Sequence, residues 1–268
     1  MKRNSVFWGL ALILVGVLLL LNSLGLISVN IGILLLAVLL IAIGAWLLWG
    51  LLLGRDELES EDVAIPLQTA SRANIHIRHG AGRLKIAAGT DHANLITGTV
   101  DGGLDCTTTM EGDTLNVAMA VPVKRFPDFG MPWMWGRRGT LDWNLYLIPS
   151  TALALHLETG ASETQLDLSD LQVSDLRLQT GASSTQITLP EHAGDTHVEV
   201  HGGAAAIEIR VPEGVAARIR TSGRLSGIRV NAGRFVRDGA LYESPEFGEA
   251  ANRVEIDAEI GVGSLEIF

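Results

Sequence analysis

The sequence predicts an all-β domain, solenoid-like and built of stacked repeats of about 21 residues, preceded by an α-helical transmembrane hairpin. Three observations lead to this fold class. A glycine-led motif recurs along the C-terminal half of the chain, apolar and polar residues alternate through residues 73–268, and the first 54 residues are almost uniformly apolar. Stacked units of this kind bury a shared core between neighbours, so one unit alone is not expected to be stable.

The hairpin is predicted within residues 1–54. Residues 6–27 are apolar except for Asn22 and Ser23, and residues 31–53 contain no charged side chain. At about 1.5 Å per residue, each segment is roughly as long as a hydrocarbon core of about 30 Å is thick. A cleaved signal peptide is the competing interpretation, and the second apolar segment argues against it.

Charge predicts the orientation of this hairpin. The basic residues in this part of the chain lie at its ends and none lies in its turn: Lys2, Arg3 and Arg55. The positive-inside rule then places both termini, and the β domain with them, in the cytoplasm. We therefore expect a multi-pass protein of the cytoplasmic membrane that contacts lipids through residues 6–53.

Small residues spaced four apart flank the hairpin, and they are Ser5, Gly9, Gly50 and Gly54. Small side chains at this spacing let two helix backbones approach closely, and these four would meet at one membrane face. The alternative is that Gly50 and Gly54 only loosen the helix end before the linker and entry segment predicted at residues 55–72.

Residues 73–268 read as short strands broken by Gly, Asp or Pro. The repeat is clearest in residues 160–168 and 181–189, with looser copies at 202–209 and 223–230. Two further copies share the pattern Gly-x-Gly-x-Leu-x-Ile, at residues 80–86 and 261–267. Glycine suits a corner where the chain needs a positive φ or a close backbone approach. The Leu and Ile side chains are expected to face the core, and Thr, Gln, Asp and Arg to face water.

The part of the chain after residue 55 is acidic. It carries 17 of the 20 basic residues and all 30 acidic ones, a formal charge of −13. That balance excludes a nucleic-acid binder, which needs a basic surface. The single cysteine, Cys106, excludes an intramolecular disulfide.

Residue patterns that would indicate catalysis are missing. The sequence contains no nucleophile elbow, phosphate loop or dinucleotide fingerprint. His197 and His201 would share a strand face but lie roughly 13 Å apart, and His76 and His79 would point to opposite faces. Cys106 has no histidine partner and is expected to be a buried, inert thiol. We expect no enzyme, no cofactor and no metal site.

A long loop interrupts the β pattern at residues 121–140. Its three prolines exclude a central strand. It combines aromatic, methionine and arginine side chains, as protein interfaces and membrane-contacting loops do. Two interpretations stay open: the loop contacts a partner or a membrane, or its aromatic side chains cover one end of the stacked core. The candidate contact residues are Phe126, Phe129, Trp133, Met134, Trp135, Arg137 and Arg138.

A band of arginines follows the clearest repeats. Two interpretations stay open here as well. The band meets anionic headgroups or an acidic partner, or its members pair with acids on neighbouring coils, such as Asp167, Asp170 and Asp175. The members are Arg210, Arg218, Arg220, Arg224, Arg229, Arg234 and Arg237.

Two groups of residues resemble bacterial envelope proteins. Residues 142–149, DWNLYLIP, and the two Gly-Ala-Ser repeats resemble toast-rack β domains. Residues 16–26 and 41–48 resemble the two-helix membrane region of LiaI/LiaF-type proteins, although residues 30–32 replace the usual Trp-Pro pair. The resemblance implies a cytoplasmic-membrane protein. LiaF-like members inhibit the histidine kinase of an envelope-stress system, and other toast-rack proteins are labelled only as adhesins.

The expected function is therefore that of a non-enzymatic, membrane-anchored regulatory protein. It would modulate an envelope-stress sensor, a histidine kinase, through protein–protein contacts. The alternative is a structural or adhesin-like envelope protein whose β domain lies outside the cytoplasm. The expected partners are membrane lipids and a membrane sensor protein, and homo-oligomerisation stays open.

Overall fold

Thirteen β-strands make up the described part of the chain, and six of them are long. The computed structural model describes residues 60–122, 141–239 and 241–268, together with Leu40. The long strands are β2 (Arg72–Ala88), β7 (Ala152–Asp167), β8 (Gln172–Thr188), β9 (Asp195–Arg210), β10 (Ala216–Val230) and β13 (Arg253–Ile267). The short strands are β1 (Ser60–Pro66), β3 (Asn94–Asp101), β4 (Asp105–Glu111), β5 (Thr114–Ala120), β6 (Leu141–Leu147), β11 (Val236–Asp238) and β12 (Leu241–Glu243).

Each long strand whose burial is described along its length turns a corner near its middle. In β7 the buried apolar residues are Leu153, Leu155 and Leu157 before the corner, and Leu166 after it. Side chains alternate strictly along a straight strand, so the change from odd to even numbers means that the inward face changes at the corner. In β2, β8, β9 and β13 the buried positions likewise switch between odd and even numbers at the corner. The two legs of each strand therefore contribute to one core.

The long strands run parallel in the order β2, β7, β8, β9, β13, β10. The predicted repeat sets their register, since Ala161 lies opposite Ala182. The stack departs from sequence order at its C-terminal end, because β13 lies between β9 and β10. Ile207 is thus paired with Leu265, and Leu265 with Ile228, although the 21-residue spacing suggests that Ile207 and Ile228 are neighbours.

The corners are glycine because neighbouring backbones meet there. A Cβ atom on Gly160 would lie 2.2 Å from the carbonyl oxygen of Gly80, and one on Gly261 would lie 2.8 Å from that of Gly203. At Gly181 the same contact, with the carbonyl oxygen of Gly160, would measure 3.0 Å. A side chain at these three corners would hold adjacent coils apart, which explains the glycine at each of them.

Polar side chains line the core next to the corners. Thr164 and Thr185 are each 1% exposed, so the expectation that the threonines of the repeat face water is wrong for them. They share the inward face of the second leg with the repeat's Leu or Ile two residues on. Buried hydroxyls need partners, and the Thr159 hydroxyl donates to that of Thr180 at 2.9 Å.

Strands β5 and β6 together form an interrupted coil beside β2. β5 pairs with the first leg of β2 and ends opposite Arg78, and β6 pairs with the second leg and begins opposite Gly82. The predicted loop at residues 121–140 falls in the sequence between these two strands, and residues 123–140 lie outside the described ones. Trp143 anchors β6, since it is fully buried and its indole N–H donates to the carbonyl of Asp101 at 3.2 Å.

The predicted all-β fold is confirmed, and its start is earlier than expected. β1 lies within the predicted linker 55–72 and pairs antiparallel with β3. The sequence missed β4, because its residues, from Asp105 to Glu111, are exposed except for the partly buried Met110 and lack apolar alternation.

The predicted localisation is corrected by the structure. In the described ranges, no helix has both the length and the apolar character that crossing a membrane requires. This finding contradicts a multi-pass protein of the cytoplasmic membrane with both termini and the β domain in the cytoplasm. That prediction used hydropathy and three basic residues, which indicate how a segment could partition but not that a helix forms. The residues of the predicted hairpin lie outside the described ones: 6–27, 31–53, Ser5, Gly9, Gly50 and Gly54.

Candidate functional site

The first legs of the long strands present a polar outward face that continues from β4 to β10. Because the strands are in register, residues at one level form a row across this face. One such row runs through Thr107, Ala118, His76, His156, Arg177, Glu199, Asp257 and Arg220.

Two histidines and a glutamate form the most compact cluster in this row. His76 on β2 lies opposite His156 on β7, and their rings stack with centroids 4.6 Å apart and planes 15° apart. Glu158 follows two residues after His156 on the same face, and its Oε1 lies 3.0 Å from Nε2 of His76. The Nε2 atom of His156 is buried and has no hydrogen-bond partner among the described residues.

An open groove of about 560 Å³ runs beside this cluster. Its floor includes Ala118 and Ala154, whose methyl groups leave room between the longer side chains. Hydroxyl and amide groups stand around it, from Thr107, Thr109, Asn74 and Asn116. The amide of Asn74 donates to the side-chain oxygen of Asn116 at 2.8 Å. The groove can therefore accept a polar group and offers both donors and acceptors.

Alternating charges border the groove. Arg177 Nε lies 3.1 Å from an oxygen of Asp175 and 3.9 Å from one of Glu199. Glu199 also accepts a hydrogen bond from His201 at 2.8 Å, and this bond, followed by the nearby positive charges, lowers the pKa of Glu199 below its usual value. These two carboxylates balance the charge of Arg177, so the arginine does not act as a free cation.

Sequence reasoning missed the pairing of His76 with His156. The expectation that the histidines form no cluster is wrong for these two, although His76 and His79 do face opposite sides of β2, as predicted. The missed signal was the alignment of Gly80 with Gly160, which also places His76 beside His156.

His79 is the inward histidine of β2 and has a structural role. It is 1% exposed, packs edge-on against Trp143 at 5.4 Å, and donates from Nε2 to the carbonyl of Leu141 at 3.0 Å. Burial lowers the pKa of His79 below its ordinary value, although the bond to Leu141 acts in the opposite direction. Its Nδ1 atom is buried without a partner among the described residues.

Cys106 does not behave as predicted. It is exposed on β4 and not buried, because β4 is an outer strand of the sheet and pairs only with β5. Partial burial raises the pKa of its thiol, so the side chain stays protonated at neutral pH.

The candidate contact residues of the loop lie outside the described residues. They are Phe126, Phe129, Trp133, Met134, Trp135, Arg137 and Arg138. The structure defines only where their segment is attached, which is at the corner of the coil formed by β5 and β6. Whether the loop binds or covers the core stays a prediction.

Two members of the arginine band pair with acids of neighbouring strands, although not with the acids named from the sequence. Arg218 contacts Glu243 on β12 at 2.7 Å and Glu255 on β13 at 3.0 Å, and Arg220 contacts Asp257 on β13 at 3.4 Å. The strands that flank β10 are β12 and β13, so they supply the acids in place of the named candidates.

Arg234 has a different role within the band. Its guanidinium lies over the ring of Phe235 at 5.2 Å and donates to three backbone carbonyls at the end of β9 and the start of β10. Those carbonyls belong to Val211, Pro212 and Val215.

A solved structure with a TM-score of 0.70 shares this fold. A "putative cell adhesion protein" from Clostridium sporogenes is 17% identical to this chain, with a TM-score of 0.70 over 79% of this chain and 99% of that one. A "putative adhesin" from Bacteroides fragilis is 8% identical, with a TM-score of 0.26 over 80% and 99% of the two chains. No curated protein matches the sequence.

A family model extends over more than half of the chain. Residues 54–210 match Toast_rack_N, described as the N-terminal domain of toast_rack, DUF2154. The match includes the stacked strands from β2 to β9 and the cluster of His76, His156 and Glu158. It confirms the resemblance to toast-rack domains found in the sequence. The chain therefore belongs to the Toast_rack_N family.

Proposed function

We propose that the protein is a non-enzymatic, adhesin-like protein of the cell envelope, whose β domain lies outside the cytoplasm and binds a partner surface. The observation that carries this proposal is the outward face of the first legs. Six strands in register build it from side chains at fixed spacing, and it holds an open groove in place of an enclosed pocket. Enzymes usually need a concave site that excludes water, whereas binding to a large surface suits a wide, exposed face.

The chemistry of this face also favours binding. Its charged side chains, such as Arg177 and Glu199, are held by neighbours on the same and the adjacent strand, so little side-chain entropy is lost when a partner docks. The structure from Clostridium sporogenes, which has the same fold, is described as a "putative cell adhesion protein". No contact within the described ranges favours regulation of a sensor kinase, and the proposal does not depend on the predicted hairpin.

The first test concerns location. Alkaline phosphatase and a fluorescent protein that folds only in the cytoplasm are each fused after Phe268 of the full chain and expressed in bacteria. The proposal expects an active phosphatase and a dark fluorescent fusion. The opposite pattern would overturn an extracytoplasmic β domain.

The second test concerns the face itself. Beads coated with the purified full chain are mixed with washed bacterial cells and with peptidoglycan sacculi, and retained particles are counted. Arg177→Glu should lower retention at least about tenfold, since a charge reversal at a contact costs more than the 1.4 kcal/mol that tenfold represents.

Arg83→Glu is the matched control. Arg83 is also exposed and also lies near two carboxylates, at 3.2 Å from Asp142 and 3.3 Å from Glu163, but it stands on the second leg. Retention should therefore be unchanged in this variant. Absence of retention by the unmodified chain, or equal losses in both variants, would contradict the assigned face.

A further inference from the structure

The cluster of His76, His156 and Glu158 has the arrangement of a metal site. Adjacent strands lie about 4.8 Å apart, and residues two apart on one strand lie about 6.6 Å apart on the same face. Two residues on one strand and a register partner on the next therefore bring three side chains toward a common point. Each of the three offers one ligand atom, and these atoms all lie within 4.8 Å of one another.

The distances are close to those that one bound ion requires. Ligand atoms about 2.0–2.1 Å from a tetrahedral zinc ion are roughly 3.3 Å from each other. The pair formed by His76 Nε2 and Glu158 Oε1, at 3.0 Å, already meets this spacing. The three side chains are about half-exposed or less, so small rotations can bring His156 to the same centre without moving a strand.

The unpartnered nitrogen of His156 is the second observation. Its Nε2 atom has lost its contact with water and has no hydrogen-bond partner among the described residues. A buried polar atom without a partner costs about 1–3 kcal/mol. A metal ion bound at that nitrogen, in the plane of the His156 ring, would use its lone pair and recover this cost.

The surroundings accept a cation. Two arginines are register neighbours of the cluster, Arg177 opposite His156 and Arg78 opposite Glu158. The charge of Arg177 is offset by Asp175 and Glu199. On the other side of His76 stands Ala118, which adds no charge and leaves space. Glu158 supplies the carboxylate of the cluster, 3.0 Å from His76.

We propose that His76, His156 and Glu158 bind a divalent transition-metal ion, with Zn²⁺ as the best-suited member of the class. Two imidazoles and one carboxylate select such ions over Ca²⁺ and Mg²⁺, which prefer oxygen ligands throughout. Three protein ligands leave a coordination position toward the groove, where water or a donor group of a partner binds. Metal binding does not depend on the adhesive function, and it is measured on the purified chain alone.

The test uses the full chain without a polyhistidine tag, in chelator-free buffer. Isothermal titration with Zn²⁺ should show saturable binding of about one ion per chain, and Co²⁺ should give visible d–d absorption from a nitrogen and oxygen ligand set. His76→Ala, His156→Ala and Glu158→Gln should each weaken Zn²⁺ binding at least about tenfold and remove the Co²⁺ spectrum. Glu158→Gln keeps the shape of the side chain, so it tests the ligand where an alanine variant fails to fold.

His201→Ala is the matched control. His201 stands on the same face and contacts two carboxylates, at 2.8 Å from Glu199 and 3.6 Å from Glu259, but has no neighbouring histidine in the described chain. It should bind Zn²⁺ as the unmodified chain does. A chain that binds no Zn²⁺, ligand variants that bind as tightly as the unmodified chain, or an equal loss in His201→Ala would each overturn the site.

Discussion

Replacing the corner glycine of β7 tests how closely the coils are stacked. In Gly160→Ala the new methyl group would lie 2.2 Å from the carbonyl oxygen of Gly80, where a real Cβ atom stays beyond 3.0 Å. The two backbones must therefore separate by nearly 1 Å at a point where ladder hydrogen bonds continue on both sides. Overpacking of this kind costs about 1–3 kcal/mol. For a domain of this size each kcal/mol lowers Tm by about 2–4 °C, so we expect a fall of roughly 2–12 °C.

A graded series makes this expectation sharper. The same methyl group would lie 2.8 Å from a backbone oxygen in Gly261→Ala and 3.0 Å from one in Gly181→Ala, so the losses should decrease in that order. Gly248→Ala is the control, since its methyl group would meet no described atom within 4 Å. A glycine with an ordinary φ gains stability from such a change, by about 0.4–1 kcal/mol, through the unfolded state.

The assay is thermal and urea unfolding of the full chain, followed by far-ultraviolet circular dichroism. Equal changes in Gly160→Ala and Gly248→Ala, or a smaller loss for Gly160→Ala than for Gly181→Ala, would refute the close approach of the coils. The order of the three variants is the critical result, because it depends on the distances and not on the absolute cost.

Two further predictions concern buried polar groups. The depressed pKa of His79 means that folding favours its neutral form, so stability is fully present above the unfolded pKa of about 6.5 and is lost as the pH falls below it. In His79→Leu the urea midpoint of unfolding should depend less on pH between about pH 7.5 and 5.5 than it does in the unmodified chain. An equal pH dependence in the two chains would contradict this assignment. Arg234→Lys should lower the free energy of unfolding by about 1–3 kcal/mol, because a lysine cannot replace a planar fork that reaches three carbonyls. Arg237→Lys should change the free energy of unfolding little in the same urea titration, because it affects a bond to one carbonyl.

The repeat contained most of the information that determines the fold. Alternating apolar residues and a leading glycine predict bent strands in register, and the alignment of Ala161 with Ala182 follows directly from the spacing. The position of β13 was not predictable in this way. A repeated motif shows which residues of different strands occupy equivalent positions. It does not show the order in which those strands are stacked.

The candidate site was less accessible from the sequence than the fold. His76 and His156 are far apart in the chain, and only the stacking of β2 on β7 brings them together. The spacing of residues in the sequence reveals pairs within one strand or one loop, such as His197 and His201. The extended strand keeps those two side chains apart. Contacts across strands become visible once the register is known, because each register pair adds a residue to the same outward row.

The place of β13 has a consequence for how this chain matures. Strand β10 and the hairpin that follows it leave the ribosome before β13, so β9 and β10 lack their shared neighbour until β13 has been synthesised. Two sheet edges stay open until then, and pairing them through β13 requires contacts that are distant in sequence, which slows folding. Synthesis that stops before Arg253 would leave the domain with its stack divided and both edges free to join another chain.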